Sequence, residues 1–207
     1  MKKIIITTVL GAMLATGAVD GDNRSGLYVG LGYGKANYAD DGLSEQLSHG
    51  SEVEDSNNGP KAYIGYQFNN VIGIELGYAD YGKYEAKTSG NDYSYAAKSY
   101  SLSANLGYSF MDSQLRPFVN LGAAYLSTKH ENLYRTFEDT TNDTGLGFHY
   151  GLGIQYEPNA LKGVGFRVAY EIDSYATAIK TVGTHSDFDK TYTQANSLLY
   201  AAVQYKF

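Results

Sequence analysis

Charged side chains occur at alternate positions in stretches that are otherwise built from apolar and small residues. They are Glu75, Arg116, Arg167, Glu171, Asp173 and Lys206. If these stretches are β-strands, the two-residue period places all six on the face opposite the apolar one. An unpaired ion in a narrow interior costs several kcal/mol, so we expect a structural ion-pair network, with a gated ion path as the alternative. The predicted network consists of Glu75, Arg116, Arg167 and Glu171, with Arg167 at its centre.

One histidine, His149, lies on the same face as these charges, between Gly147 and Gly151. A lipid-modifying hydrolase or acyltransferase would need a histidine close to a nucleophilic serine and an acid. No serine lies within two positions of His149, and His185-Ser186 falls in a predicted loop. The small side chains of Ser99, Ser101 and Ser103 would fit in a narrow interior, and we expect them to fill space there. We therefore predict no enzymatic activity, no catalytic residue, no cofactor and no metal site.

A strongly acidic segment follows the first alternating stretch. It carries six carboxylates and no lysine or arginine before Lys61: Asp40, Asp41, Glu45, Glu52, Glu54 and Asp55. Such a segment could bind divalent cations or a basic partner, but its spacing matches no calcium-binding loop. We predict a solvated acidic surface. Tyrosines in the other long connections add a plausible recognition surface on a rigid scaffold.

The amino terminus and the overall charge limit the function classes. Lys2 and Lys3 precede a short apolar run, and small residues follow at Ala15, Gly17 and Ala18. This pattern predicts a secretory signal peptide over residues 1–18, with cleavage near Gly17 or Ala18. The net charge of −6 argues against nucleic acid as a partner, and the absence of cysteine excludes a disulfide framework.

Eight stretches of strict apolar alternation follow the predicted signal. They cover residues 27–38, 61–68, 71–81, 99–110, 117–125, 146–156, 164–173 and 199–207. The opposite face is mostly Gly, Ala, Ser and Asn, whereas a soluble sandwich would show water a face of Thr, Lys and Glu. Four or five outward apolar residues per strand are enough to span the apolar band of an outer-membrane barrel, which is about 25 Å tall. We predict an all-β, eight-stranded antiparallel transmembrane β-barrel with up-and-down topology over residues 26–207.

Connections alternate in length, as expected when one barrel end faces the periplasm and the other the outside. Short connections lie at 69–70, 111–114 and 157–163, and long ones at 39–60, 80–92, 127–144 and 174–194. Aromatic residues then form a girdle at each interface. The outer girdle is Tyr33, Tyr78, Tyr125 and Tyr170, and the inner girdle is Phe68, Tyr108, Phe110, Tyr156, Tyr205 and Phe207.

The last eight residues, Tyr200-Ala201-Ala202-Val203-Gln204-Tyr205-Lys206-Phe207, end on an aromatic residue preceded by alternating apolar positions. With the segment Arg116-Pro117-Phe118-Val119-Asn120-Leu121-Gly122-Ala123, this resembles the OmpA-like transmembrane β-barrel family of small porin-family and opacity-type proteins. The resemblance implies residence in the bacterial outer membrane and an assembly signal formed by Val203, Tyr205 and Phe207. We expect no periplasmic peptidoglycan-binding domain, because the chain stops at Phe207.

Function is expected to lie in the outer connections rather than in the barrel. The family resemblance implies a surface interaction such as adhesion or a role in envelope integrity. A small solute channel is the second hypothesis and a lipid A-modifying enzyme the third. The expected partners of the monomer are outer-membrane lipid and lipopolysaccharide, the outer-membrane assembly machinery and host surface components.

Overall fold

The eight alternating stretches form eight antiparallel strands that close into a barrel in the computed structural model. The structure describes residues 25–39, 56–88, 91–110, 114–134, 137–182 and 187–207. The strands are β1 (Gly26–Ala39), β2 (Ser56–Gln67), β3 (Ile72–Thr88), β4 (Asn91–Gly107), β5 (Leu115–Tyr134), β6 (Phe137–Tyr156), β7 (Val164–Val182) and β8 (Asp187–Lys206). Each strand pairs with its neighbours in sequence, and β8 pairs with β1. The predicted fold class and up-and-down topology are confirmed.

The two faces of the strands differ as the alternation predicts. Outward residues remain exposed on the isolated barrel, as for Leu31 at 73% and Leu152 at 63% of their surface. The inward polar residues are buried, and Arg167 and Glu171 are each only 1% exposed. An apolar outer wall around a polar interior is stable only when a bilayer covers the wall. Across the described ranges, there is no helical segment with the length and apolarity that a membrane crossing requires.

Large aromatic side chains occupy much of the lumen, and inward glycines make room for them. Tyr63 lies against Gly30, and a Cβ on that glycine would overlap the tyrosine ring. Gly65 accommodates the ring of Tyr28 in the same way. The inward face therefore carries large rings among its small residues, and the rings of Tyr63 and Tyr28 each occupy space that a glycine leaves open.

Three of the four predicted long connections are mostly strand. β3 runs to Thr88 before β4 begins at Asn91, and β5 runs to Tyr134 before β6 begins at Phe137. Similarly, β7 and β8 continue as a hairpin to Val182 and Asp187. Apolar residues alternate only in the part of a strand that faces lipid. Beyond the membrane, a hairpin in water is held by the hydrogen bonds between its two strands, so its residues need not alternate and the sequence pattern does not predict it. Of the first predicted connection, 39–60, residues 56–60 belong to β2, and residues 40–55 lie outside the described residues.

A β-bulge interrupts β3 where it leaves the membrane. The register with β4 shifts between Asp80 and Lys83, and Gly82 adopts a φ of 76°. The backbone N–H of Gly82 donates a hydrogen bond to the Asp80 carboxylate at 3.0 Å. Tyr81 points into the lumen, as alternation from Ala79 predicts, whereas Lys83, which follows the extra residue, is exposed and pairs with Ala96 on the outer face. An extra residue in a bulge changes which face later side chains take.

Candidate functional site

The centre of the lumen holds an arginine bound to a carboxylate from the opposite wall. The Nη1 atom of Arg167 on β7 donates hydrogen bonds to the two oxygens of Glu75 on β3, at 3.0 and 2.8 Å. The guanidinium carbon lies 3.9 Å from the ring centroid of Tyr63 and 4.7 Å from that of Phe118. The positive charge is therefore held by one carboxylate and by aromatic faces. Arg167 is buried in the lumen, on the inward face of β7.

The other central glutamate has a different partner from the one predicted. Glu171 lies 2.6 Å from the Nζ atom of Lys61 on β2 and makes no ion pair with Arg167. The Tyr200 hydroxyl donates to Glu171 at 2.9 Å, and the Asn120 amide donates to it at 3.0 Å. Of the two glutamates predicted around Arg167, only Glu75 is hydrogen-bonded to it, whereas Glu171 is paired with Lys61 across the lumen. Lys61 was already on the inward face by alternation, and this was the overlooked signal.

Arg116 is also buried in the lumen, but its hydrogen bonds do not go to a carboxylate. Its Nη1 atom donates to the side-chain oxygen of Asn105 at 2.6 Å, and its other contacts are backbone carbonyls. The Asn105 amide donates to Asn120 at 2.8 Å, and Asn120 in turn reaches Glu171. Arg116 therefore joins the predicted network through two asparagines rather than through an ion pair.

His149 belongs to a second buried cluster nearer the outer end. Its Nδ1 atom lies 2.6 Å from Asp173, which is directly paired with it on β7. The Tyr81 hydroxyl from the opposite wall donates to the other oxygen of Asp173 at 2.6 Å. His149 and Asp173 are both almost fully buried. The histidine is therefore held by an acid and shielded from the lipid-facing surface, where lipid-modifying chemistry would take place.

Polar and aromatic side chains close both ends of the lumen. At the short-turn end, Lys206 donates to Gln67 at 2.8 Å, and Gln204 donates to Glu157 at 3.0 Å. The cavity lined there by Arg116 and its neighbours has a volume of only about 10 Å³. At the hairpin end, the rings of Tyr38 and Tyr95 stack at 4.2 Å, and the Tyr95 hydroxyl lies 3.1 Å from that of Tyr175. No group of His, Asp or Glu in the described ranges is arranged to hold a metal ion.

The whole barrel matches the family model of the outer membrane protein beta-barrel domain, over residues 6–207. The chain belongs to this family. Relatives of this beta-barrel protein include outer membrane protein A of Shigella dysenteriae, 28% identical over 210 residues, and that of Escherichia coli O157:H7, 27% identical over 209 residues. Both alignments cover 100% of the chain, which spans just over half the length of these relatives, 56% and 55%.

Solved structures show the same fold at lower identity. Neisserial surface protein A superposes with a TM-score of 0.53 at 19% identity, covering 88% of this chain and 98% of its own. The attachment invasion locus protein Ail of Yersinia pestis, solved in complex with the heparin analogue sucrose octasulfate, gives 0.51 at 18% identity, with 87% and 99% covered. Family membership and fold together place this outer membrane beta-barrel protein in the bacterial outer membrane.

Three of the remaining predicted residues lie at the carboxyl end of β8, on the outer face of this beta-barrel. Val203, Tyr205 and Phe207 project outward and are exposed, and the Phe207 ring lies edge-on to Tyr205 at 5.0 Å. The Phe207 N–H donates to the Leu27 carbonyl at 2.9 Å, which ties the chain end to β1. Their role in assembly stays a prediction. The six acidic residues of the segment 40–55 lie outside the described residues, and their role also stays a prediction.

Proposed function

We propose that this protein is a non-enzymatic surface protein, in which the barrel is a closed scaffold and the outer connections bind partners at the cell surface. The observation that carries the proposal is the filled lumen. Arg167 with Glu75 and Lys61 with Glu171 cross it at mid-height, and tyrosines occupy its outer end. A barrel of this kind presents its variable surface only through the connections that leave the membrane.

A solute channel is the rival that the packing argues against most directly. Passage of a hydrated ion would require the two buried ion pairs to separate and the aromatic rings around Arg167 to move aside. Removing one partner from a buried pair costs about 3–5 kcal/mol, which sets the scale of such an opening. We therefore expect no steady conductance in planar bilayers. Steady currents that change in Glu75→Gln and Arg167→Gln would instead support the channel.

The enzyme hypothesis is disfavoured by the surroundings of His149. Its acidic partner Asp173 faces Tyr81 and is buried on the lumen side of the wall. An acyl-transfer site would need its nucleophile to reach lipid, and the outer wall of the described strands presents apolar and aromatic side chains there. We expect the purified protein to leave lipid A unmodified.

The negative charge of the first outer connection favours one class of surface partner. The segment 40–55 carries six carboxylates and no lysine or arginine. The related Ail structure holds a sulfated heparin analogue, which is a polyanion. Like charges across an interface disfavour association, so we propose that this chain recognises cationic segments of surface or matrix proteins rather than sulfated glycans. The proposal predicts adhesion that weakens as salt concentration rises.

The test compares cells that display the full chain with cells that display a neutral variant. In that variant Asp40, Asp41, Glu45, Glu52, Glu54 and Asp55 become Asn or Gln. A matched variant changes the lumen instead, with Glu75→Gln. We expect binding to immobilised polylysine and to epithelial matrix to fall only for the neutral loop, at equal surface levels. Unchanged binding after neutralisation, or stronger binding to heparin than to polylysine by the full chain, would contradict the proposed partner class.

A further inference from the structure

The ladder of pairs between β6 and β7 ends before either strand does. Its last pair is Phe148 with Ser174, beyond the girdle residue Tyr170, although both strands extend farther from the membrane. We propose that the edge of β7 left open there, Ala176–Val182, is a docking site for an extended segment of another protein, which joins the edge as an added strand. The site is separate from the acidic segment 40–55 on which the proposed function rests.

Outside the membrane, the strands divide into two separate sheets. The ladders β3–β4, β4–β5 and β5–β6 continue to the hairpin ends at Thr88 and Tyr134, so the extensions of these four strands form one sheet. The extensions of β7 and β8 form a hairpin of their own, paired as far as Val182 and Asp187. Among the described residues, none pairs with the β6-facing edge of β7 beyond Ser174.

Two glycines on β6 show where the two sheets separate. A Cβ on Gly147 would lie 2.3 Å from the backbone oxygen of Ser174, so the strands are in direct contact there. At Gly145, two positions farther out, the nearest atom to such a Cβ is Cδ2 of the Tyr175 ring, at 3.8 Å, rather than backbone. The two backbones therefore diverge directly beyond the last pair, and a notch lies between them outside the membrane.

The open edge of β7 has the chemistry that an extended peptide recognises. A strand edge presents a row of unpaired backbone N–H and C=O groups, and these bind another strand through main-chain hydrogen bonds. At about 3.3 Å per residue, Ala176–Val182 is about 23 Å long. Its sequence, Ala-Thr-Ala-Ile-Lys-Thr-Val, is rich in β-branched residues, lacks proline and glycine, and has one charge, at Lys180. Proline, runs of charge and bulges are the features that block natural edges, so this edge is poorly protected.

The edge of β6 on the other side of the notch is a poorer docking site. Its outer part, Phe137–Gly147, contains three acidic residues and two glycines. Glycine and acidic residues are depleted in strands, and charges along an edge disfavour the addition of another strand. We therefore assign the docking site to β7.

The direction of β7 argues against a second copy of the chain as the occupant. In every copy within one membrane, β7 runs from the short-turn end at Val164 to the hairpin end at Val182. An antiparallel pair of two β7 edges would need one of them to run the opposite way. Parallel pairing is less stable per residue. The occupant is therefore a segment of a different molecule, which can enter antiparallel to β7.

The test follows amide hydrogen exchange, residue by residue, by NMR on the full chain in detergent micelles. The probe is a synthetic peptide with the sequence of Asp187–Gln194, the segment that pairs antiparallel with β7 on its other side. The control peptide carries a methyl group on each backbone nitrogen, so it keeps every side chain but cannot donate main-chain hydrogen bonds.

Two double variants of the protein separate the two edges of β7. They are Ala176→Pro with Ala178→Pro, and Thr177→Pro with Ile179→Pro. Successive residues of a strand direct their N–H groups to opposite sides, so one variant removes donors from the open edge and the other removes donors that pair with β8. Exchange at the β8-facing amides shows which variant keeps the hairpin.

We expect the peptide to slow exchange at the open-edge amides of Ala176–Val182 by about fivefold or more, which corresponds to one hydrogen bond of typical net strength. The methylated peptide should have no effect, and the open-edge proline variant should lose the response while its hairpin stays protected. Neutralising the segment 40–55 should change none of these results, so either proposal can fail without the other. Equal slowing by the methylated peptide, no slowing by the unmodified one, or open-edge protection in a dimer without peptide would each overturn the docking site.

Discussion

Arg167 and Glu75 lie on opposite walls of the barrel, four strands apart, and meet in its lumen through two hydrogen bonds. The Glu75 carboxylate is also held by the Tyr28 hydroxyl at 2.8 Å. A single contact therefore ties β7 to β3 across the full width of the barrel. The interior is consequently a structural part of the protein.

Arg167→Leu is expected to lower the free energy of unfolding by about 3–5 kcal/mol, because Glu75 would be left buried without its cation. Equilibrium unfolding by urea in detergent micelles measures the change. Combining it with Glu75→Gln should recover much of the loss, since a neutral amide needs no counter-charge. Lys35→Leu removes an exposed cation and should have little effect. A near-neutral Arg167→Leu would mean that water already reaches the pair.

Gly30→Ala is expected to destabilise the barrel by about 1–3 kcal/mol, the usual range for overpacking a tight interior. The added methyl would overlap the Tyr63 ring, which is itself held beside Arg167. Gly145→Ala is the matched control, because the nearest atom to its new methyl is Cδ2 of Tyr175, at an ordinary 3.8 Å. The same urea titration compares the two. Equal effects would show that loss of glycine flexibility, and not contact with Tyr63, determines stability.

Replacing residues 40–55 by a short Asn-Gly turn should leave the barrel able to insert. Asn37 and Ser56 are already paired across β1 and β2, so a tight turn can join the strands. Barrels without free edges resist detergent until heated, and the trimmed protein should still migrate as a compact form that shifts on boiling. Its binding to cationic surfaces should be lost. Failure of the trimmed chain to insert would show that the segment carries folding information.

Phe207→Ala tests the predicted assembly signal separately from stability. We expect less folded protein in the membranes of cells that express the variant, because the terminal aromatic residue would be missing from the signal. Refolding from urea into detergent micelles should be unchanged, since Phe207 is 72% exposed and its hydrogen bond to β1 uses the backbone. Phe110→Ala, another exposed aromatic at the same end, is the control. Slower refolding of Phe207→Ala in micelles would reduce its role to one in stability.

The strands and their faces could be predicted from the sequence because side-chain direction in a strand alternates locally. Leu31 faces outward and Arg167 inward for that reason alone. Which buried cation pairs with which buried carboxylate could not be predicted in the same way. Glu171 and Lys61 are far apart in sequence. Arg167 and Lys61 are both inward cations, and either could have paired with Glu171. Strand length beyond the membrane was also missed, because water-facing hairpins such as that ending at Thr88 carry no apolar alternation.

The sequence by itself determined that this chain forms an eight-stranded outer-membrane barrel with a polar, charged interior. It could do so because the two-residue period and the chemistry of each face are properties of short segments. Only the tertiary structure decided that Arg167 meets Glu75, 92 positions away, while Lys61 takes Glu171. It also decided that the bulge at Gly82 turns Lys83 to the outer face of the barrel. Both outcomes depend on register around a closed barrel, which sets distances between strands that no single segment contains.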